Sequence, residues 1–435
     1  QDKLYCLAHK FIKDDEDKIT FCLEEEKFYI FKDGRWQSKY DVEMMKMIGD
    51  KIPEIYKYSV STRKQIIDNL KVIRYSSILN FNLIDMLNLK NGMVNPYSHE
   101  VLKHEPFYMS TIQINYEYNK DAKCNLWLKT LNEILEGDQE KISLLQEFFG
   151  YCLTRETKYE KALLLCGDSR SGKSTILNTL NELIGKDNCS NVPLGHISNQ
   201  QQNFALLGKL VNLDTDVSSK AVDFEAEFKK ITSGEAIQTN PKYITPFSFN
   251  PFCKIVLSAN DFPRINDHSS AFYKRLILIP CYRVFLDHEQ NANLKHELKS
   301  NELPGILNWS LEGLERLRLR NGFEKKAFMN EAISDLRDES NPVDIFFDEH
   351  IVADVKLGNE LDKGDLYNKY KSWCITNNHY AMSAAKFSIC VFRKYQGIVH
   401  KNSFSTVTRK RVWKNLSYVN NKLSINIDSN AQWEE

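Results

Sequence analysis

Apolar positions along the chain fall into three regimes. Residues 1 to 118 alternate short apolar runs with turns, as in Phe28-Tyr29-Ile30-Phe31 followed by Asp33-Gly34 and Arg35-Trp36, a spacing that predicts a small hairpin. From about Ala122 to Arg155 the period becomes helical: Trp127, Leu128, Leu131, Ile134 and Leu135, then Ile142, Leu144, Leu145, Phe148 and Phe149, recur at three- and four-residue steps. Between Lys161 and about Phe323 short apolar strands (162–166, 210–213, 254–258 and 276–280) alternate with helical stretches, which predicts an α/β unit whose parallel sheet is covered on both faces. After a charged helical stretch, Asn341-Pro342 opens a last segment. Helices near 343–350, 366–377 and 384–395 precede strands around 403–407 and 412–419, and helices closing in a two-stranded ribbon predict a winged helix-turn-helix.

Composition narrows the class. At 435 residues the chain has length for about three domains. Its ten cysteines lie far apart with no C-x-x-C pair, which points to reduced thiols in a cytoplasmic protein and to neither a zinc cluster nor a disulfide framework. No apolar run approaches a membrane span of about 18 residues, and a start at Gln1-Asp2-Lys3, without signal peptide or initiator Met, points to a chain cut from a longer one. Lys and Arg total 58 against 58 Asp and Glu, so the whole chain is neutral. That average conceals a local excess: residues 366–427 hold eleven Lys or Arg and no Asp or Glu. Spread over the expected recognition helix and ribbon, with Tyr395, Phe404 and Trp413 interleaved, the excess favours duplex DNA, with Arg393, Lys394, Arg409, Lys410 and Arg411 as contacts.

The sharpest motif is Gly167-Asp168-Ser169-Arg170-Ser171-Gly172-Lys173-Ser174, a full G-x-x-x-x-G-K-[ST] between an expected strand and a helix from 174 to 184 that continues through Thr175. Backbone N–H groups at such a helix start cradle phosphates, Lys173 neutralises the outer two, and the Ser174 hydroxyl is placed to ligate Mg²⁺, so ATP with Mg²⁺ is the expected cofactor. A metal carboxylate is then needed at a neighbouring strand end. Asp214 is the expected metal partner and Asp216 the group that aligns the attacking water, roles the sequence leaves interchangeable. Asn260, ending the next strand, suits a neutral water-holding amide. Arg275 is the candidate guanidinium delivered to a neighbouring subunit's phosphate, with Arg264 second.

These elements, in this order and spacing, resemble the superfamily 3 helicases, in the branch of the poxvirus nucleoside triphosphatase and the phage-plasmid primase-helicases. The resemblance runs over about 300 residues, through Lys90-Asn91-Gly92-Met93-Val94-Asn95, 144–154, Ile231-Thr232-Ser233-Gly234-Glu235, 257–264 and 305–314. Within the branch the chain is most similar to replication helicases of staphylococcal mobile islands and cassette elements. The resemblance implies a ring-forming, usually hexameric AAA+ ATPase tracking on single-stranded DNA, with Lys173, Ser174, Asp214, Asp216, Asn260 and Arg275 at the family's motif positions. Its Asp-x-Asp departs from the Glu or adjacent acids of many relatives. The family also carries a channel hairpin at the position of 238–244, where Lys242 offers a cation for phosphate and Tyr243 a flat face for bases. The implied domains are an N-terminal α+β region (1–118), a helical collar (119–160), an AAA+ core (161–325) and a winged helix (326–435), with single- and double-stranded DNA as partners. Three functions fit: a replicative DNA helicase of a mobile element that binds its origin, an ATP-switched initiator or regulator without unwinding, and an RNA or packaging translocase. Residues 1–118 lack paired carboxylates at strand spacing, so no primase activity is expected of them.

Overall fold

A computed structural model describes residues 5–6, 8–9, 13, 16–51, 54, 59–217, 224–260, 270–340, 342–353, 359–377, 381–395, 399, 403–405 and 410–419. It divides into two compact units, 1–333 and 334–435. The divide falls inside a helix, Ala327–Ser340, rather than at the expected 325/326.

The first unit begins with β1 (Ile19–Cys22), β2 (Lys27–Lys32), β3 (Arg35–Lys39), α1 (Asp41–Lys51), α2 (Val60–Ile73) and β4 (Tyr75–Ser76), whose sheet order is β3-β2-β1-β4. Asp33 and Gly34 turn the β2–β3 hairpin with φ of 53° and 80°, the consecutive left-handed pair that matches the twist of the strands. The two helices were not legible as such. Each buries a narrow stripe, Met44 and Ile48 in α1 and Ile66, Ile67 and Leu70 in α2, between charged residues that mask the period. These side chains share a small core with Ile19, Phe21, Phe28 and Ile30. The next three strands, β5 (Leu87–Leu89), β6 (Gly92–Val94) and β7 (Val101–Leu102), form a separate antiparallel sheet. Leu87, Leu89, Val94 and Ile114 belong to the central core, so residues 1–118 are not one independent body.

That central core lies around β8 (Ala162–Cys166), β9 (Cys189–Ser190), β10 (Val211–Asp214), β13 (Lys254–Ala259) and β14 (Leu276–Pro280). All four pairings are parallel, in the order β14-β8-β13-β10-β9. Strands β8, β13 and β14 are buried throughout, as continuous apolar runs in a parallel sheet require. Between them run α5 (Lys173–Ile184), α6 (Glu225–Ser233), the hairpin β11 (Ile237–Thr239) and β12 (Phe247–Phe249), and α7 (Ser270–Arg275). Ahead of the sheet lie α3 (Asn125–Ile134) and α4 (Gln139–Cys152), and behind it α8 (Leu303–Arg320) and α9 (Ala327–Ser340). Helices α4 and α8 touch backbone to backbone. A Cβ on Gly150 would lie 2.3 Å from the Ser310 carbonyl oxygen, and one on Gly313 2.5 Å from that of Gln146.

The second unit contains α10 (Pro342–His350), β15 (Ile351–Ala353), β16 (Glu360–Asp362), α11 (Lys363–Thr376), α12 (Ala384–Lys394), β17 (Ser403–Phe404), β18 (Arg411–Lys414) and β19 (Leu416–Tyr418). Asp362 caps α11 by accepting from the N–H groups of Gly364 and Asp365 at 2.8 and 2.9 Å. Phe346, Phe347, Tyr370, Phe387 and Trp413 fill its core, with the Tyr370 and Phe387 rings stacked 4.6 Å apart. The expected two-stranded ribbon is corrected here: β18 pairs with both β16 and β17, and β19 with β15, all antiparallel. Glu-Leu-Asp carries no apolar run, so only pairing with β18 makes β16 a strand.

Candidate functional site

Six residues, Gly167–Gly172, separate the buried strand β8 from α5 and form the loop of the G-x-x-x-x-G-K-S motif. Gly172 stands at the helix start with φ 87° and no side-chain cap, and Arg170 is also left-handed at 66°. Segment 281–287 braces the loop along its length. The Cys281 N–H donates to Cys166 at 2.7 Å, the Phe285 N–H to Arg170 at 3.0 Å, and the Arg170 guanidinium pairs with Asp287 at 2.6 Å. Gly167 leaves no room for a side chain, since a Cβ there would lie 2.1 Å from the Cys281 oxygen. Lys173 is buried, and its ammonium donates to the carbonyls of Gly167 and Asp168 at 2.6 and 2.7 Å and to Ser171 Oγ at 3.2 Å. Asp168, Ser169, Arg170 and Ser174 are exposed, and Thr175 is half-buried.

The two acids differ in surroundings. Asp214 ends β10 half-buried, with Oδ2 accepting from the Leu194 N–H at 2.7 Å. Asp216 is exposed. The register pairs Asp214 with Leu257 and Leu257 with Leu164, while Ala259 pairs with Cys166. The ladder ends at Asp214; beyond it the chain bends, and the Val217 N–H donates to the Ser258 carbonyl at 3.1 Å, which keeps Asp216 at this end of the sheet as well. Asn260 follows β13 immediately, is exposed, and its carbonyl lies 3.8 Å from Cys166 Sγ. Thus the loop, both acids and Asn260 share the C-terminal edge of the sheet, where parallel strands present ligand sites. The donor set fits a triphosphate with a hard divalent cation: a buried ammonium, an uncapped helix start, and hydroxyl and carboxylate oxygens. Among the described residues no group of three or more His, Cys, Asp or Glu could hold a metal by itself. A cation here would therefore depend on phosphate oxygens, with Ser174 and one acid completing its shell.

Arg275 lies elsewhere. Leu276, the next residue, pairs with Ala162 at the first position of β8, so Arg275 sits at the opposite end of the sheet from its own loop. Its guanidinium pairs with Glu160 at 2.7 Å. Glu160 was missed by sequence reasoning, because nothing in its surroundings along the chain marks it. Arg264 lies outside the described residues.

The hairpin expected near 238–244 is present: β11 and β12 pair from Ile237 with Phe249 to Thr239 with Phe247. Lys242 is exposed at the tip, and Tyr243 is 99% exposed with φ 66°. In the second unit Lys410 and Arg411 are exposed, and Arg411 lies 6.0 Å from the ring of exposed Phe404. Lys394 is paired with Asp348 at 2.5 Å, so its charge is partly compensated. Arg393 belongs to α12, its side chain outside the described set, and Arg409 lies outside the described residues altogether.

Comparison with known proteins gives two partial family matches. Residues 6–136 match the family described as "D5 N terminal like", and residues 165–275 a family of unknown function, DUF5906. The first match runs past 118 into α3, and the second spans the loop, the acids, Asn260 and Arg275. The fold is similar to solved structures of the NrS-1 C-terminal region. One apo structure has TM-score 0.53 at 12% identity, covering 91% of this chain and 95% of that one. Another apo form has TM-score 0.52 at 13% identity, covering 94% and 98%.

Proposed function

We propose that the chain is an ATP-dependent DNA helicase of superfamily 3, a ring-forming AAA+ motor acting in replication. The observation that carries this reading is the convergence of the phosphate loop, Asp214, Asp216 and Asn260 on one sheet edge. The strand order, with the loop strand β8 between β14 and β13, supports the AAA+ assignment. The D5 match and the NrS-1-like fold support a DNA-replication protein of the phage primase-helicase type. The narrower similarity to staphylococcal mobile-island helicases rests on the sequence motifs alone.

Bound ATP with Mg²⁺ supplies the phosphoanhydride bond whose cleavage drives the cycle. Lys173 exchanges its loop carbonyls for phosphate oxygens, a charge-assisted contact stronger than the neutral ones it leaves. Asp216 and Asn260 are placed to orient water, and Ser174 with Asp214 or Asp216 would hold the cation. Arg275, remote from its own loop, serves that of an adjacent copy, which supports a ring. Helices α11 and α12 followed by strands β17 and β18, which share a sheet with β16, support a winged helix, with Lys410, Arg411 and Phe404 toward duplex DNA.

The test is strand displacement on forks tailed at either the 3′ or the 5′ strand, with and without ATP. ATP-dependent displacement on one tail polarity is expected. Duplex binding with no displacement on either fork would leave an ATP-switched initiator instead.

A further inference from the structure

Within the first unit a cleft of about 740 Å³ opens between the β3 edge, the 187–188 and 207–209 segments, and the chain leaving β12. Its volume is that of a ligand site. Three cations line it: Arg35, Arg155 and Lys209.

Arg155 is the most informative. Its guanidinium sits 4.5 Å over the Phe252 ring, and its Nε is enclosed without a hydrogen-bond partner among the described residues. No described carboxylate stands within ion-pair distance of it, and burial pulls its pKa down. The one opposing charge that acts on it, Asp85, is itself paired with Arg318 at 2.9 Å, so an anion entering the cleft would give this half-buried cation a partner of its own. Lys209 donates to the Asp187 carbonyl rather than to its carboxylate, which meets Arg35 only at 3.9 Å. The other acid lining the cleft, Glu25, is engaged by the Tyr29 hydroxyl and by Lys27 at 3.7 Å. Cationic character therefore dominates the free valences of the wall.

Flat apolar faces accompany these cations and lead away from the cleft. Phe252 lies beneath Arg155, and half-buried Phe204 meets Phe247 edge-on at 6.2 Å. Phe247 belongs to β12, whose hairpin ends in exposed Tyr243. Alternating cations and ring faces are what a single-stranded nucleic acid reads, phosphate by phosphate and base by base.

We propose that this cleft binds a single strand of nucleic acid led from the hairpin tip along β12 to Phe252 and Arg155. The inference rests on the hairpin being a strand contact.

The test uses the full chain and fluorescein-labelled oligothymidine in anisotropy titrations across salt. Arg155→Gln and Lys209→Glu are each expected to weaken binding about tenfold and to lower the salt slope by about one. Arg155→Lys should recover part of the loss, and an unchanged melting temperature of Lys209→Glu separates binding from folding. Oligothymidine carrying 5-iodouracil should cross-link to half-buried Phe204. Wild-type affinity and salt slope in both variants, with cross-links confined to Tyr243, would overturn the cleft and leave the hairpin standing. Cleft cross-links that persist in Lys242→Ala/Tyr243→Ala would support the cleft and remove the hairpin reading.

Discussion

Arg275 and Glu160 face each other across 2.7 Å at the end of the sheet where β8 and β14 begin, a full strand away from the phosphate loop of the same chain. Within one copy this guanidinium lies at the far end of β8 from Gly167–Gly172. Glu160 is about half exposed, so the pair is worth at most about 1 kcal/mol to stability, and its disruption by a neighbour's phosphate is inexpensive.

Arg275→Ala should therefore keep its melting temperature and nucleotide affinity while its hydrolysis rate falls by about 10³ or more. Mixing it with Lys173→Ala protein should restore part of the activity, measured as phosphate release against mixing ratio. Absence of rescue at every ratio would show that the site is not shared between subunits.

The two acids should separate by their folded environments. Asp216→Asn is expected to leave stability unchanged, because Asp216 is exposed, and to lower kcat by at least about 100-fold. Asp214→Asn should lower activity and also cost about 1 kcal/mol in urea unfolding, since its carboxylate accepts the Leu194 N–H. Equal stability losses in both would contradict this division.

The α4–α8 crossing is a further point of leverage. Gly150→Ala would drive a methyl group to 2.3 Å from the Ser310 carbonyl, and the backbone cannot yield as a side chain can. A loss of about 3 kcal/mol or failure to fold is expected, whereas Gly137→Ala, with open space around it but a left-handed backbone, should cost about 1 kcal/mol. Circular dichroism melts of the two variants check this.

Buried thiols set an alkaline limit. Burial pushes Cys22, Cys124, Cys189, Cys253 and Cys281 up to about 12 from 9.0, and Cys152 higher still. Below pH 9 these groups are protonated in folded and unfolded chains alike. Above it the unfolded chain releases protons that the folded chain retains, so stability should fall, by up to about 1.4 kcal/mol per pH unit for each thiol. Lys254 acts oppositely: burial lowers it to about 8, and the cost of keeping it charged is relieved as pH rises from there. Burial also lowers Lys161 and Lys363 and raises Cys374, so three lysines oppose seven thiols, and urea midpoints should drop between about pH 9 and 10.

Much of the site was legible because its requirements are local. Gly172 at φ 87°, Lys173 and Ser174 must follow one another for a helix start to hold phosphate, and the β8, β13 and β14 runs are apolar because both sheet faces are covered. The Asn240-Pro241 turn likewise announced its hairpin. Helices α1 and α2 were not legible, since stripes of two or three buried residues give little period.

The sequence by itself determined which groups the site would contain: a phosphate loop, two acids at one strand end, an amide at another, and a basic carboxyl-terminal segment. Each is a contiguous motif whose chemistry depends on neighbours along the chain. Tertiary structure alone decided that Asp214 is half-buried on the Leu194 N–H while Asp216 is exposed, that Arg275 faces Glu160 away from its own site, that Lys394 is paired, and that the Arg155 guanidinium lies over Phe252. Strand order, register and burial create those relationships between residues 20 to 115 positions apart, and no local pattern encodes them.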